Sequence, residues 1–228
     1  MDQRWINTPL GPVPVWLRGI RPDVLVIRGA VPRQTDFEWL DTRDAAFLHL
    51  PGFFSPPLSE VSISAFAEAF DAVAENLGAR EPVIVGASVG ALVALAMETA
   101  GSRILVEPFF STRDLWPLHE LLANSLVGPV GEWARAILGF APEGVMARDY
   151  SYLAARARGA FVLVGDEPLL PPRPLSALPS FTAAIDVELL RRNGAEVATV
   201  QGGHFPSSEM RAALNAVVSA QSRVATKR

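Results

Sequence analysis

The stretch Pro82-Val83-Ile84-Val85-Gly86-Ala87-Ser88-Val89-Gly90-Ala91-Leu92-Val93-Ala94-Leu95-Ala96 decides the fold. It opens as a short β-branched run, the composition of a buried strand, and closes as an Ala- and Leu-rich run that suits a helix. Only Gly86 to Gly90 separate the two, so the chain must reverse within a few residues. Side chains two positions either side of Ser88 would collide with the strand and the helix, which accounts for glycine at 86 and 90. Such a turn strains the backbone at Ser88 and aims a helix N-terminus at it. A serine that merely caps a buried helix would leave the same local pattern. The surroundings must separate the two.

Outward from this stretch, short apolar runs alternate with helical rhythm, the pattern of a mostly parallel sheet with helices on both faces. Val24-Leu25-Val26-Ile27, Ala46 to Leu50, Arg103 to Val106, Phe161 to Val164 and Val197 to Gln201 read as further strands. Arg4–Thr8 and Val13–Arg18 read as two more, joined by the Pro9-Leu10-Gly11-Pro12 turn. The total is about eight. Thr35-Asp36-Phe37-Glu38 is a capping box that predicts a short helix after it. Ile63, Phe66, Phe70, Val73 and Leu77 form one helical stripe, with Gly78 as its cap. Helices are also predicted over Ser88 to Ala100, Thr182 to Asn193 and Ser208 to Ala220.

The 228 residues are half apolar and only 19% charged, enough for a large core in one domain over 1–228. A net charge of −4 offers no basic footprint for nucleic acid, and there is no cysteine for disulfides, thiol catalysis or cysteine-based metal sites. The longest uncharged run, Pro82 to Met97, is sixteen residues, against about 20 for a bilayer span. With no basic and apolar leader at Met1-Asp2-Gln3-Arg4-Trp5, the sequence reads as soluble and cytoplasmic. Nothing in it suggests a cofactor cradle or a metal cluster. It does not fix the oligomeric state.

Gly86-Ala87-Ser88-Val89-Gly90 is a G-x-S-x-G sequence in a strand–turn–helix setting, the context of a nucleophile elbow. A serine hydroxyl attacks a carbonyl only when a base takes its proton, and a carboxylate must then steady the resulting imidazolium. Three histidines are available, His49, His119 and His204. His49 ends a strand before Leu50-Pro51-Gly52 and suits a supporting role; His119 falls in an apolar segment and suits the surface or a lid. His204 follows the last strand in Gln201-Gly202-Gly203-His204-Phe205-Pro206.

Over nearly its whole length the sequence resembles the α/β-hydrolase superfamily. The likeness rests on the order of elements, the elbow at Ser88 and the histidine loop that leads into a closing helix. It implies that Ser88 is the nucleophile, His204 its base, and the backbone N–H groups of Ala30 and Val89 the oxyanion donors. Arg28-Gly29 stands where the family usually has His-Gly. The loop Gly165-Asp166-Glu167-Pro168 is one residue short for the usual acid; Glu167, aligned through the proline, is the preferred placement, with Asp166, aligned through the glycine, as the alternative. A third possibility is Glu107, since some members take the acid from the strand before. Residues 111–155 occupy the place of a helical lid. Leu115, Trp116, Leu118, Trp133, Ile137 and Phe140 leave little polar material to line a pocket.

The implied substrate is a small ester or thioester with an apolar group, cleaved through an acyl-enzyme. Acyl transfer, amide or carbon–carbon cleavage on the same residues, or a hydrolase fold kept as a small-molecule receptor, are the alternatives.

Overall fold

The computed structural model describes residues 1–30, 37–52, 55–169 and 178–225. Three strands of the main sheet bury every residue they contain: β3 (Val24–Ile27), β4 (Ala45–Leu48) and β5 (Val83–Ala87). Burial on both faces is what continuous β-branched runs without polar alternation require. Around them lie β1 (Asp2–Thr8), β2 (Gly11–Arg18), β6 (Ser102–Val106), β9 (Phe161–Gly165) and β10 (Glu196–Val200). The sheet has eight strands in the order β1-β2-β4-β3-β5-β6-β9-β10. The pairs β1–β2 and β2–β4 are antiparallel, and all the others are parallel.

The pleat divides the core in two. Leu25, Ile27, Ile84 and Leu105 point to the face covered by α1 (Ile63–Asn76) and α2 (Val89–Ala96). Val24, Val26, Val85 and Ile104 point to the face that packs against Phe37, Leu40 and the Met210, Leu214 and Val218 stripe of α6 (Ser208–Ala225). Helix α5 (Ala184–Arg192) joins β9 to β10. Among the described residues, no helix is long and apolar enough to cross a membrane.

Strand order reverses beside β3. The chain runs from β3 to β4 on one side, then crosses to β5 on the other, and in open sheets such a reversal marks the carboxyl edge where sites form. Register aligns that edge: Ile27 pairs with Gly86, Ala87 with Val106, Val106 with Leu163, and Gly165 with Val200.

The structure departs from sequence expectation in three places. Helix α2 stops at Ala96, four residues before the predicted end. Asp71 accepts the N–H groups of Glu98 and Thr99, each at 2.9 Å, while Arg103 donates to the carbonyls of Ala94, Met97 and Thr99. Those side chains replace the last helical turn. The helix expected after the capping box is absent from residues 37–44, and Thr35 and Asp36 of the box lie outside the described residues. Arg18 there takes the carbonyls of Glu38, Leu40 and Thr42, leaving a turn that inserts Phe37 and Leu40 into the core.

The third departure lies between β6 and β9. Besides α3 (Trp116–Leu122) and α4 (Gly128–Leu138), this segment holds an antiparallel ribbon of β7 (Phe140–Ala141) and β8 (Gly144–Val145). His119 Nε2 lies 2.7 Å from the Ala141 carbonyl oxygen and its ring meets Phe140 edge-on, so this histidine braces the ribbon. Trp133 is fully buried, its ring 6.5 Å from that of Phe66 on α1. It fastens α4 to the main core. Trp133→Ala should therefore cost about 3–5 kcal/mol, the range for a fully buried large aromatic. Urea unfolding monitored by circular dichroism measures this; a loss below about 1 kcal/mol would show that the ring is not part of the core.

Candidate active site

Ser88 directly follows β5 with φ 55° and ψ −124°, a conformation that costs a non-glycine residue about 1–3 kcal/mol. Close packing enforces it. A Cβ on Gly86 would sit 2.4 Å from the Gly90 carbonyl oxygen, and one on Gly90 would sit 2.3 Å from that of Ile27. The Ser88 N–H donates to the Val106 carbonyl at 2.9 Å, which ties the turn to the end of β6. The hydroxyl makes no capping bond to α2. It lies instead 3.0 Å from His204 Nε2.

His204 reaches Ser88 from the loop after β10. The N–H of His204 donates to the Leu178 carbonyl at 3.1 Å, and a Cβ on Gly203 would lie 2.0 Å from that same oxygen, so glycine is required beside the histidine. The imidazole is buried between the rings of Phe181 and Phe205, with centroids at 4.7 and 5.9 Å.

Its other nitrogen, Nδ1, lies 3.3 Å from Oε2 of Glu107. Glu107 comes immediately after β6, also at positive φ, 51°, and is 1% exposed. A buried carboxylate is tolerated only with compensating donors. Here Oε1 accepts the Gly165 N–H at 2.5 Å and the Ser180 hydroxyl at 2.9 Å, and Oε2 accepts the Phe181 N–H at 3.2 Å.

This corrects the preferred placement of the acid. The carboxylate at His204 is that of Glu107, and neither Glu167 nor Asp166 bonds the imidazole. Asp166 is exposed and its Oδ1 accepts the Gly202 N–H at 3.0 Å, a turn-stabilising bond. The Glu167 backbone is committed to the same loops: its N–H donates to the Gly202 carbonyl at 3.0 Å and its carbonyl accepts the Ser180 N–H at 2.7 Å.

The sequence matches the alpha/beta hydrolase family over residues 24–217. The chain belongs to that family. No curated protein matches it in sequence. Its fold is similar to that of naproxen esterase (carboxylesterase NP) from Bacillus subtilis, at 16% identity and TM-score 0.65, covering 96% of this chain and 90% of the esterase. It is also similar to a thermophilic esterase from Thermogutta terrifontis, at 18% identity and TM-score 0.62, covering 98% of each chain. An N-formylmaleamic acid deformylase from Pseudomonas putida S16 aligns at 14% identity and TM-score 0.63, covering 96% of this chain and all of the deformylase.

In this α/β-hydrolase the two backbone groups expected to face an oxyanion both lie beyond the carboxyl ends of strands, after β5 and β3. Val89 opens α2, where an N–H has no intrahelical acceptor, and Ala30 follows β3 across from it. The Arg28 side chain packs on the α6 face, its guanidinium carbon 5.3 Å from the Phe47 ring centroid and Nη2 3.7 Å from Glu38 Oε1. Arginine at this position thus helps cover the sheet.

His49 does not join Ser88 and His204. Its ring packs on Trp16 with centroids 4.3 Å apart. Burial first, and the Arg28 charge second, push its pKa down from 6.5 to about 4. An unfolded chain takes up a proton below about pH 6.5 that the folded protein refuses, so stability is full above that pH and falls as pH drops toward 4. The loss traceable to His49 should reach about 3 kcal/mol by pH 4. Urea midpoints at several pH values should show a flatter profile for His49→Gln; superimposable profiles would contradict the assignment.

Proposed function

We propose that this α/β-hydrolase cleaves a carboxylic ester or thioester with an apolar group, through an acyl-enzyme on Ser88. The observation that carries this is the unbroken relay from the Ser88 hydroxyl to His204 Nε2, and from His204 Nδ1 to the Glu107 carboxylate. A receptor that only binds has no physical need for such a relay. The phenyl groups of Phe181 and Phe205 beside the histidine favour an apolar acyl or alcohol part.

In the first half-reaction Ser88 Oγ bonds to the carbonyl carbon as its proton passes to His204 Nε2. Glu107 fixes the tautomer with the proton on Nδ1 and stabilises the imidazolium. The carbonyl electron pair moves to oxygen, which the N–H groups of Ala30 and Val89 receive. Collapse expels the alkoxide or thiolate, which takes the proton from Nε2. Water then attacks the acyl carbon, giving its proton to His204, and the acid leaves as Ser88 Oγ regains a proton. Amide cleavage by the same residues is the second reading. The fold shared with the deformylase favours it.

Two substitutions separate these roles. Ser88→Ala should lower kcat for an activated aryl ester by about 10⁴-fold or more without unfolding the protein. Glu107→Gln keeps the shape but cannot stabilise the imidazolium, so kcat should fall by about 10²–10⁴-fold with little change in KM, whereas Glu167→Gln should retain activity. The reverse outcome for the two glutamates would move the acid to Glu167. A panel of esters, thioesters and amides of graded acyl length distinguishes the substrate classes.

A further inference from the structure

The segment Leu178–Asp186, which ends in the first turn of α5, runs beside the residues after β6 and is stitched to them by side chains. Ser180 Oγ donates to Glu107 Oε1 at 2.9 Å, and the Phe181 N–H donates to Oε2 at 3.2 Å. Thr182 Oγ1 donates to the Pro108 carbonyl at 2.6 Å, and Asp186 Oδ2 accepts the N–H groups of Phe110 and Ala183, each at 3.3 Å. Ser180, Thr182 and Asp186 are all buried. None of them belongs to the elbow, the histidine loop or the acid loop.

We propose that Ser180 is a positioning residue for the reaction: its hydroxyl fixes the Glu107 carboxylate so that Oε2 faces His204 Nδ1. This rests on the relay through Glu107 proposed above. Of the three groups that hold the carboxylate besides His204, two are backbone N–H groups, and Ser180 supplies the only side chain among the described residues. Its hydroxyl is itself oriented, because Oγ accepts the Thr182 N–H at 3.2 Å and its proton is then directed to Glu107. The same strand of chain carries Phe181 against the imidazole and offers the Leu178 carbonyl to the His204 N–H. Base and acid are therefore referenced to one segment. A carboxylate that has lost one donor turns toward its remaining partners, and a misplacement on the order of 1 Å costs up to about 10²-fold in rate.

The test is steady-state hydrolysis of an activated aryl ester by wild type, Ser180→Ala, Ser180→Cys and Ser180→Thr. In Ser180→Ala, kcat should fall about 10–100-fold, the scale of one hydrogen bond to a charged group, while KM stays within about twofold. Ser180→Cys, nearly isosteric with a weaker donor, should fall between Ala and wild type. Ser180→Thr keeps the hydroxyl and should recover most of kcat. A role in packing alone would not give this split, nor rank the variants by donor strength. Equal kcat in wild type, Ala and Cys variants would overturn the role of Ser180 and leave the relay standing. A folded wild type that hydrolyses no ester, thioester or amide would overturn the relay, and this role with it.

Discussion

Ser88 is held at φ 55° because backbone occupies the space on both sides of it. Gly86 faces the first turn of α2 and Gly90 faces the carbonyl end of β3, each closer than a Cβ would permit. These contacts make the strand, the helix and the neighbouring strand interdependent. The hydroxyl is turned to His204, and the start of α2 packs against the carboxyl end of β3. Unstrained backbone at 88 would return the serine to the plane of β5 or into the helix, and His204 would have no partner. The strain is met by a core in which β3, β4 and β5 are buried on both faces.

Much of this was legible in the sequence, since it follows from local rules. Strand–helix alternation gave the eight strands of the main sheet, and the glycines around Ser88 announced the turn. His204 stood out because a glycine pair follows the last strand and a helix follows the histidine. The acid was ambiguous for a physical reason. Its identity depends on which loop at the carboxyl edge comes near Nδ1, and that is fixed by β9 pairing with both β6 and β10 and by the backbone bonds of residues 166–167. A glutamate straight after a strand, with no glycine to ease a positive φ, is a faint local sign of Glu107. Ser180, Thr182 and Asp186 carry no motif at all; their partners are about 70 residues away in sequence.

Tertiary side chains also overrode local propensity. Nothing within Ala91 to Ala100 ends α2 at Ala96; Asp71 and Arg103, from other elements, do so. Arg18 likewise holds residues 38–42 as a turn. The β7–β8 ribbon is too short to show a period of two. Asp71 and Arg18 act from 20 or more residues away, which patterning cannot weigh.

The proposed catalysis depends on Ser88 being nucleophilic, which burial and backbone strain alone do not give it. The proton acceptor 3.0 Å away and the carboxylate behind it have to act together. A fluorophosphonate reports on that directly, since it bonds covalently only to an activated serine. The deciding measurement is the intact mass of the protein after exposure to such a probe, with the modified peptide then identified by tandem mass spectrometry. A single adduct per chain, located on Ser88 and absent from a Glu107→Gln protein over the same exposure time, is the expected result. An unmodified protein, or an adduct on any other residue, would contradict the account.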